Sequence, residues 1–259
     1  MDNYKNFNHI KIHTQYSICE GALKINDLAE FCKKNKIKCV GLSDTSNLSG
    51  ALEFSENLSK SGTQPIIGTQ INFKFSDHIG LLPLIATSED SYKSIIELSS
   101  NSYLKNNNKD EPHCPLDELF KISKDIIILS GSINGLIGKL FNKGLTTEIE
   151  KIYLSFKKKF KNNFYIEIQR HDDLNEKSFE KFNLKVSKKF DIPIIATNEV
   201  FYLSKDMHEA HDALICIGNK TYINEKNRLK LSDQHYLKTN SEMTELFADI
   251  PEALENNYN

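Results

Sequence analysis

The stretch Phe7–Gly21, FNHIKIHTQYSICEG, constrains the fold of this chain more than any other. It opens as an alternating run, with Ile10 and Ile12 on one face and His9, Lys11 and His13 on the other, the period-2 pattern of a strand. Polar residues through Glu20 and Gly21 then read as a loop leading into a helix over 24–35, so His13 stands at the carboxyl end of a strand with a βα-loop beyond it. In parallel α/β folds that is where chemistry is placed. On an alternating strand His9 and His13 lie roughly 13 Å apart, too far to share a metal, and the residue between them is a lysine, which has no lone pair to offer when charged. Taken alone, the stretch favours a structural or hydrogen-bonding histidine over a metal ligand.

The rest of the chain repeats the strand–helix alternation. Apolar strands are expected over 37–44, 65–75, 80–86, 126–130, 164–169 and 192–197. Helices are expected over 47–60, with Leu48, Ala51, Leu52, Phe54, Ser55 and Leu58 inward, and then over 88–103, 135–142, 146–161, 174–190, 205–216 and 241–248. A hairpin-like turn at 76–79 joins the third and fourth strands, and Pro83 marks an irregularity in the fourth. The polar stretch 105–115 reads as a surface loop, because strand and helix alternation resumes after it. Seven strands, each usually followed by a helix, imply an α/β fold: one distorted (β/α) barrel of the TIM type spanning residues 1–259.

Composition narrows the functional classes. With 33 basic and 35 acidic residues the formal net charge is −2, which gives no global reason to bind a polyanion. The lysines at 157–159 and 161 fall on the outer face of an amphipathic helix, where a solvated surface accounts for them. Cys19, Cys32, Cys39, Cys114 and Cys216 form no CxxC pair or zinc-ribbon spacing, and they suit reduced thiols better than a disulfide framework. The N-terminus lacks the apolar core of a signal peptide and no stretch is long and apolar enough for a membrane span, so a cytoplasmic location with no membrane partner is expected. No Gly-rich phosphate loop of the Walker type occurs. The strand ends, read in order, offer His13, Asp44, Gln70, Ser132, His171, Asn198 and Glu199, a polar set converging on one mouth.

Six ordered blocks carry a family resemblance: HIKIHTQYSICEG, LSDTSNLSGALEF, QPIIGTQINF, LSGSINGLIG, IPIIATNEVFYL and EMTELFADIPEAL. Together they resemble the polymerase and histidinol phosphatase (PHP) domain at the N-terminus of bacterial replicative DNA polymerase III alpha subunits, in the proteobacterial branch. The resemblance implies an N-terminal domain whose polymerase palm, fingers and thumb lie beyond Asn259. Active members of the family hydrolyse phosphoesters at a trinuclear metal centre in the barrel mouth.

Carried over position by position, the family's paired first-motif histidines fall on Lys11 and His13, and the acidic residue of that loop on Glu20. The second-motif histidine falls on Thr45, after Asp44; the third-motif carboxylate on Gln70; the histidine of the fourth strand on or near Leu81; the cysteine on Ser132. The last motif's aspartate and histidine fall on Glu199 and Phe201. Only His13, Glu20 and Glu199 keep a strong ligand, so the resemblance implies a degenerate site with no metal, no cofactor of the domain's own and no catalytic residue. Lys11 would replace a cation electrostatically by pairing with Glu20 or Glu199. His211 matches a family histidine outside the metal positions and is expected to be structural.

The implied function is a silent domain of the replicase that supports the polymerase core and docks the proofreading exonuclease subunit. Nucleotidyl transfer, its magnesium ions and contact with DNA would belong to the parent subunit. The alternatives are a surviving metal-dependent phosphoesterase or 3′–5′ exonuclease, which the lost ligands disfavour, and a nucleic-acid-binding module, which the charge balance disfavours.

Overall fold

A computed structural model describes residues 7–106, 111–122 and 125–259. The elements in chain order are β1 (His9–Ile12), α1 (Ile25–Asn35), β2 (Cys39–Thr45), α2 (Ala51–Lys60), β3 (Gln64–Phe75), β4 (His78–Ala86), α3 (Glu89–Leu104), β5 (Cys114–Pro115) and β6 (Ile126–Leu129). They continue with α4 (Leu136–Asn142), α5 (Thr146–Phe160), β7 (Phe164–Ile168), α6 (Glu176–Phe190), β8 (Ile194–Ala196), β9 (Glu199–Val200), α7 (His208–Gly218), α8 (Asn240–Leu246) and α9 (Pro251–Tyr258). The strands form a 9-stranded curled sheet in the order β8-β7-β6-β4-β3-β2-β1-β9, with the short β5 on β3. Seven of these were legible in the sequence; β5 and β9 are additions, each only two residues long and too short to show a period. Part of the 105–115 stretch, residues 107–110, lies outside the described residues, and its end supplies β5 rather than loop.

Pairing is parallel except around β4, which runs antiparallel to both β3 and β6. Ser76, with φ +52°, makes the tight turn between β3 and β4. Pro83 does not interrupt β4: it sits opposite Gln70 in a continuous ladder. The ends of the sheet, β8 and β9, are neighbours in the chain, and α9 bridges the seam. Asn257 accepts from the Asn8 backbone N–H at 2.7 Å and donates to the carbonyls of Asn8 and Ala196 at 2.9 and 3.1 Å.

The concave face of the sheet has an apolar floor of Ile10, Ile85, Leu129 and Ile195, drawn from four strands. Outside it, the helices pack Phe156, Phe164, Ile166 and Ile168 into the larger core on one side, and Ile12, Leu28, Val40 and Phe54 into a second core under α1 and α2. Ile10 and Ile12 therefore face opposite ways, contrary to the simple alternation. Between His9 and Ile12 the register slips, with His9 opposite Val40 and Ile12 opposite Leu42, so β1 holds one extra residue. Such a bulge re-aims side chains. The chain can crowd there because residue 41 is glycine: a Cβ on Gly41 would stand 2.7 Å from the Ile10 Cα.

Helix boundaries differ from expectation where capping is local. α2 begins at Ala51 rather than 47, which turns Leu52 to solvent at 72% exposure instead of inward. α6 begins at Glu176, leaving Leu174 outside and exposed. Residues 205–207 form a short 3₁₀ turn before α7. Capping boxes fix the starts of α3 (Ser88 with Ser91) and α8 (Thr239 with Glu242). The final helix, α9, with proline in its first turn, was not foreseen beyond the block that contains it.

Candidate functional site: a buried ion-pair cluster in the barrel mouth

Above the apolar floor, the inward positions of the strands become polar. In β7 the alternation places Ile166 and Ile168 in the outer core, and so turns Tyr165, Glu167 and Gln169 to the concave side. β1 delivers Lys11 by way of its bulge, and β9 delivers Glu199, opposite Lys11 in register. The Lys11 Nζ lies 3.2 Å from Glu167 Oε1 and 3.3 Å from Glu199 Oε1, with the lysine side chain wholly shielded from solvent. Burial opposes the charge on Lys11, but Glu167 and Glu199 outweigh it and hold its pKa above the usual lysine value. Burial likewise acts against the Glu199 carboxylate, yet Lys11, His13 and Gln70 hold its pKa well below the usual carboxylate range. Both groups are thus charged at neutral pH.

His13 continues the network. Its Nε2 is 3.2 Å from Glu199 Oε1 and 2.9 Å from the Gln70 amide nitrogen, which also donates to Glu199 Oε1 at 2.7 Å. Its Nδ1 is 3.2 Å from Ser17 Oγ, and Ser17 donates onward to Asp44 Oδ1 at 2.7 Å. Asp44 also accepts from the Thr14 N–H and hydroxyl at 2.6 and 2.8 Å, so it organises the loop after β1. Phe201 covers the imidazole of His13, ring centroids 4.4 Å apart. Thr45 donates to Glu20 at 2.5 Å and approaches His13 Nδ1 at 3.4 Å. Of the two acids expected to face Lys11, Glu199 does so; Glu20 is held by Thr45 instead, and Glu167 takes its place.

Leu81 is half-buried on β4, opposite Asn72. Ser132 is half-buried just past β6, in the turn before α4. His211 is buried on α7, donates through Nε2 to the Glu20 carbonyl at 2.8 Å, and is pushed by burial to a pKa of about 4, so it supports the loop as a neutral ring. Asn198 and His171 belong to an adjoining cluster. His171 stacks on His235 at 4.1 Å and sits 3.2 Å from Glu176 Oε1, and its Nε2 accepts from the Glu199 N–H at 3.1 Å. Asn198 Oδ1 also stands 3.1 Å from His171 Nε2. Burial raises the Glu176 pKa to about 7, and burial lowers that of His171 well below its usual value. Asn198 accepts from Lys238 Nζ at 3.1 Å.

Sequence reasoning missed Glu167, Gln169, Thr197, His235 and Lys238. Gln169 and Thr197 both donate to Glu167 Oε1, the oxygen that also faces Lys11. A signal for Glu167 was present: in FYIEIQ, a carboxylate in the middle of an otherwise apolar strand must face either solvent or a polar interior. His235 and Lys238 come from an irregular segment with no period to read.

The donor set does not suit the divalent metals of the family's active centres. Lys11, Leu81 and Phe201 stand where the family resemblance implies ligands, and Lys11 puts an ammonium between Glu167 and Glu199. Among the described residues no group of three or more His, Cys, Asp or Glu side chains is arranged to hold a metal. Among them, too, no helix is long and apolar enough to cross a membrane.

A curled, mainly parallel sheet with helices outside, an apolar floor and polar residues gathered at its strand ends defines a distorted TIM-like barrel. The chain belongs to the PHP domain family, whose model matches residues 9–171. Among curated relatives it is 33% identical to DNA polymerase III subunit alpha of Caulobacter vibrioides, over 96% of this chain and 23% of that protein. It is 35% identical to the protein of the same name from Borreliella burgdorferi, again over 96% of this chain and 23% of the relative. The chain thus spans about a quarter of the length of the curated relatives it matches. Among solved structures, an amidohydrolase from Chromobacterium violaceum superposes with a TM-score of 0.50 at 8% identity, covering 75% of this chain and 87% of that one, a likeness of fold.

Proposed function

We propose that this chain is the PHP domain of a DNA polymerase III alpha subunit acting in chromosomal replication, and that the domain is catalytically silent. Its role is that of a cytoplasmic scaffold that supports the polymerase core and docks the proofreading exonuclease subunit. The observation that carries the silent reading is the Lys11 ammonium between Glu167 and Glu199. A fixed monovalent cation neutralises part of the acidic charge that would otherwise draw divalent ions, but it has no open coordination position on which to activate water. Replication enters through the relatives, whose shared name is DNA polymerase III subunit alpha. DNA synthesis, with the magnesium ions it needs, is assigned to the parent subunit beyond Asn259, and the whole of 1–259 is read as a single PHP domain.

Two assays on the chain test this. Incubated with manganese or zinc and a chromogenic phosphodiester, it should hydrolyse nothing above the buffer blank; metal-dependent turnover that disappears in His13→Ala would refute silence. Mixed with the cognate exonuclease subunit, it should co-elute in size-exclusion chromatography. Separate elution at micromolar concentrations would remove the docking role.

A further inference from the structure

The outer faces of α5 and α6 form one basic surface. Residues 157–161 and 181–191 hold eight lysines and a single carboxylate, Asp191, a charge of +7 on a chain whose formal total is −2. The fold sets the two segments side by side. Tyr153 on α5 donates to Asn183 Oδ1 on α6 at 3.0 Å, Lys157 Nζ donates to the carbonyls of Phe190 and Asp191, each at 2.6 Å, and Lys189 pairs with Glu150 at 2.7 Å. In α6 Phe179, Asn183 and Val186 are buried, so Lys181, Lys185 and Lys188, each two residues further on, make a row on the opposite side of the helix. All three are exposed, as are Lys158 on α5 and Lys161 just past its end. In the sequence the α5 lysines read as a solvated face; the second row beside them is a product of folding.

The carboxylates around this surface are already engaged. Glu150 faces Lys189, Asp191 faces Lys157 at 3.5 Å, and Glu180 is held by Arg170 at 2.6 Å. Glu118, on the turn whose Phe120 packs on Phe156, is held by Lys121 at 2.7 Å. Lys158, Lys159, Lys161, Lys181, Lys185 and Lys188 make no ion pair among the described residues. Lysine in the last turn of a helix complements the helix dipole, which accounts for Lys159 and Lys188. It does not account for Lys161, Lys181 or Lys185, and α3, α7, α8 and α9 end with no basic residue in the last turn. Lys181, Lys185 and Lys189 follow one another at four-residue intervals, where like charges repel along a helix. The row costs the free chain some stability, and an external polyanion relieves that cost.

We propose that this face binds the phosphate backbone of duplex DNA, without preference for sequence. Regularly repeated phosphates match rows of unpaired ammonium groups better than the isolated carboxylates of a protein surface do. The two segments contain no arginine, and so no planar fork to read a base edge. Their aromatic rings offer no stacking platform for a single strand: Phe160 is buried, Phe182 and Phe190 are half-buried, and the Lys189 ammonium lies 4.7 Å over the Phe190 ring. Of the large hydrophobic side chains on α5 and α6 only Leu154 is exposed, too little to insert into a lipid surface. The face lies outside the barrel, away from the ion-pair cluster, and does not depend on whether that cluster is silent.

The test is fluorescence anisotropy of labelled duplexes of about 20 base pairs and unrelated sequence, titrated with the chain between about 50 and 200 mM salt. Micromolar binding is expected at the low end, alike for each sequence, with log K falling against log salt at a slope of about −3 to −5. A quadruple variant, Lys158→Glu, Lys161→Glu, Lys185→Glu and Lys188→Glu, changes exposed positions only and is checked for unchanged circular dichroism. It should bind about tenfold or more weakly, whereas Lys33→Glu, Lys34→Glu, Lys36→Glu and Lys38→Glu at the end of α1, an equal change of net charge, should cost less than about threefold. Polyglutamate at matched charge should displace the duplex about tenfold less effectively than unlabelled duplex does. No binding at about 100 μM protein, a slope shallower than about −2, or equal losses in the two variants would each overturn the proposal. Equal displacement by polyglutamate would also overturn it, and would assign the face to an acidic protein partner.

Discussion

The Lys11 ammonium stands 3.2 Å from Glu167, two side chains with no solvent exposure that are brought together by strands β1 and β7. With Glu199 at 3.3 Å the cluster holds one cation and two carboxylates. Lys11→Met keeps the length of the side chain but leaves both acids without a counter-charge. Removing one member of a buried ion pair typically costs roughly 3–5 kcal/mol. The variant is therefore expected to unfold at markedly lower urea concentration, and adding Glu167→Gln to it should restore a good part of the loss. A Lys11→Met protein as stable as the parent would show that the pair is incidental.

The seam between the first and last barrel strands rests on Asn257. Asn257→Ala strands the Asn8 N–H and carbonyl in a buried setting. With roughly 1–3 kcal/mol for a buried polar group left without its partner, a loss of roughly 2–4 kcal/mol is expected by chemical denaturation. Asn256→Ala, which removes a single part-buried bond to Ile194, serves as the control and should cost less.

Glu176 predicts a pH effect of definite sign. Its folded pKa, about 7, lies above the ordinary 4.5, mainly through burial. The folded state thus holds this proton more tightly than the unfolded chain does. The associated stability is complete below about pH 4.5 and is lost as pH rises through about 7. Glu176→Gln lacks the titration, so the melting temperature of the variant relative to the parent should climb between pH 5 and pH 8. A flat or falling difference would contradict the assignment.

Much of this was legible in the sequence, for physical reasons that can be named. Strands such as Ile126–Leu129 and Phe164–Ile168 are short, apolar and bounded by breakers, and their positions followed from that pattern. The bulge in β1 was not legible, since it arises from the slip of His9–Ile12 against β2 and from the room that Gly41 leaves there. The same limit applied to the site. His13 follows β1 and Glu199 opens β9, so both were found by position, whereas Gln70 lies in the middle of β3, opposite the last residue of β2, and not at a strand end as expected. Glu167 joins them only because the curl of the sheet brings β7 across the barrel to Lys11. Lys238 and His235 are placed by an irregular segment whose path is set by tertiary contacts, such as the backbone bonds joining it to Phe201 and Tyr202.

The claim that a lysine stands in for metal in the barrel mouth is tested most directly by elemental analysis. The chain would be incubated with zinc and manganese, dialysed, and its metal content measured by inductively coupled plasma mass spectrometry, with Lys11→Met alongside. The expected result for the parent is far less than one equivalent of either metal, because Lys11, Leu81 and Phe201 offer no ligand where the family resemblance implies one and Glu199 is already paired. One or more equivalents retained by the parent chain, and lost in His13→Ala, would contradict it.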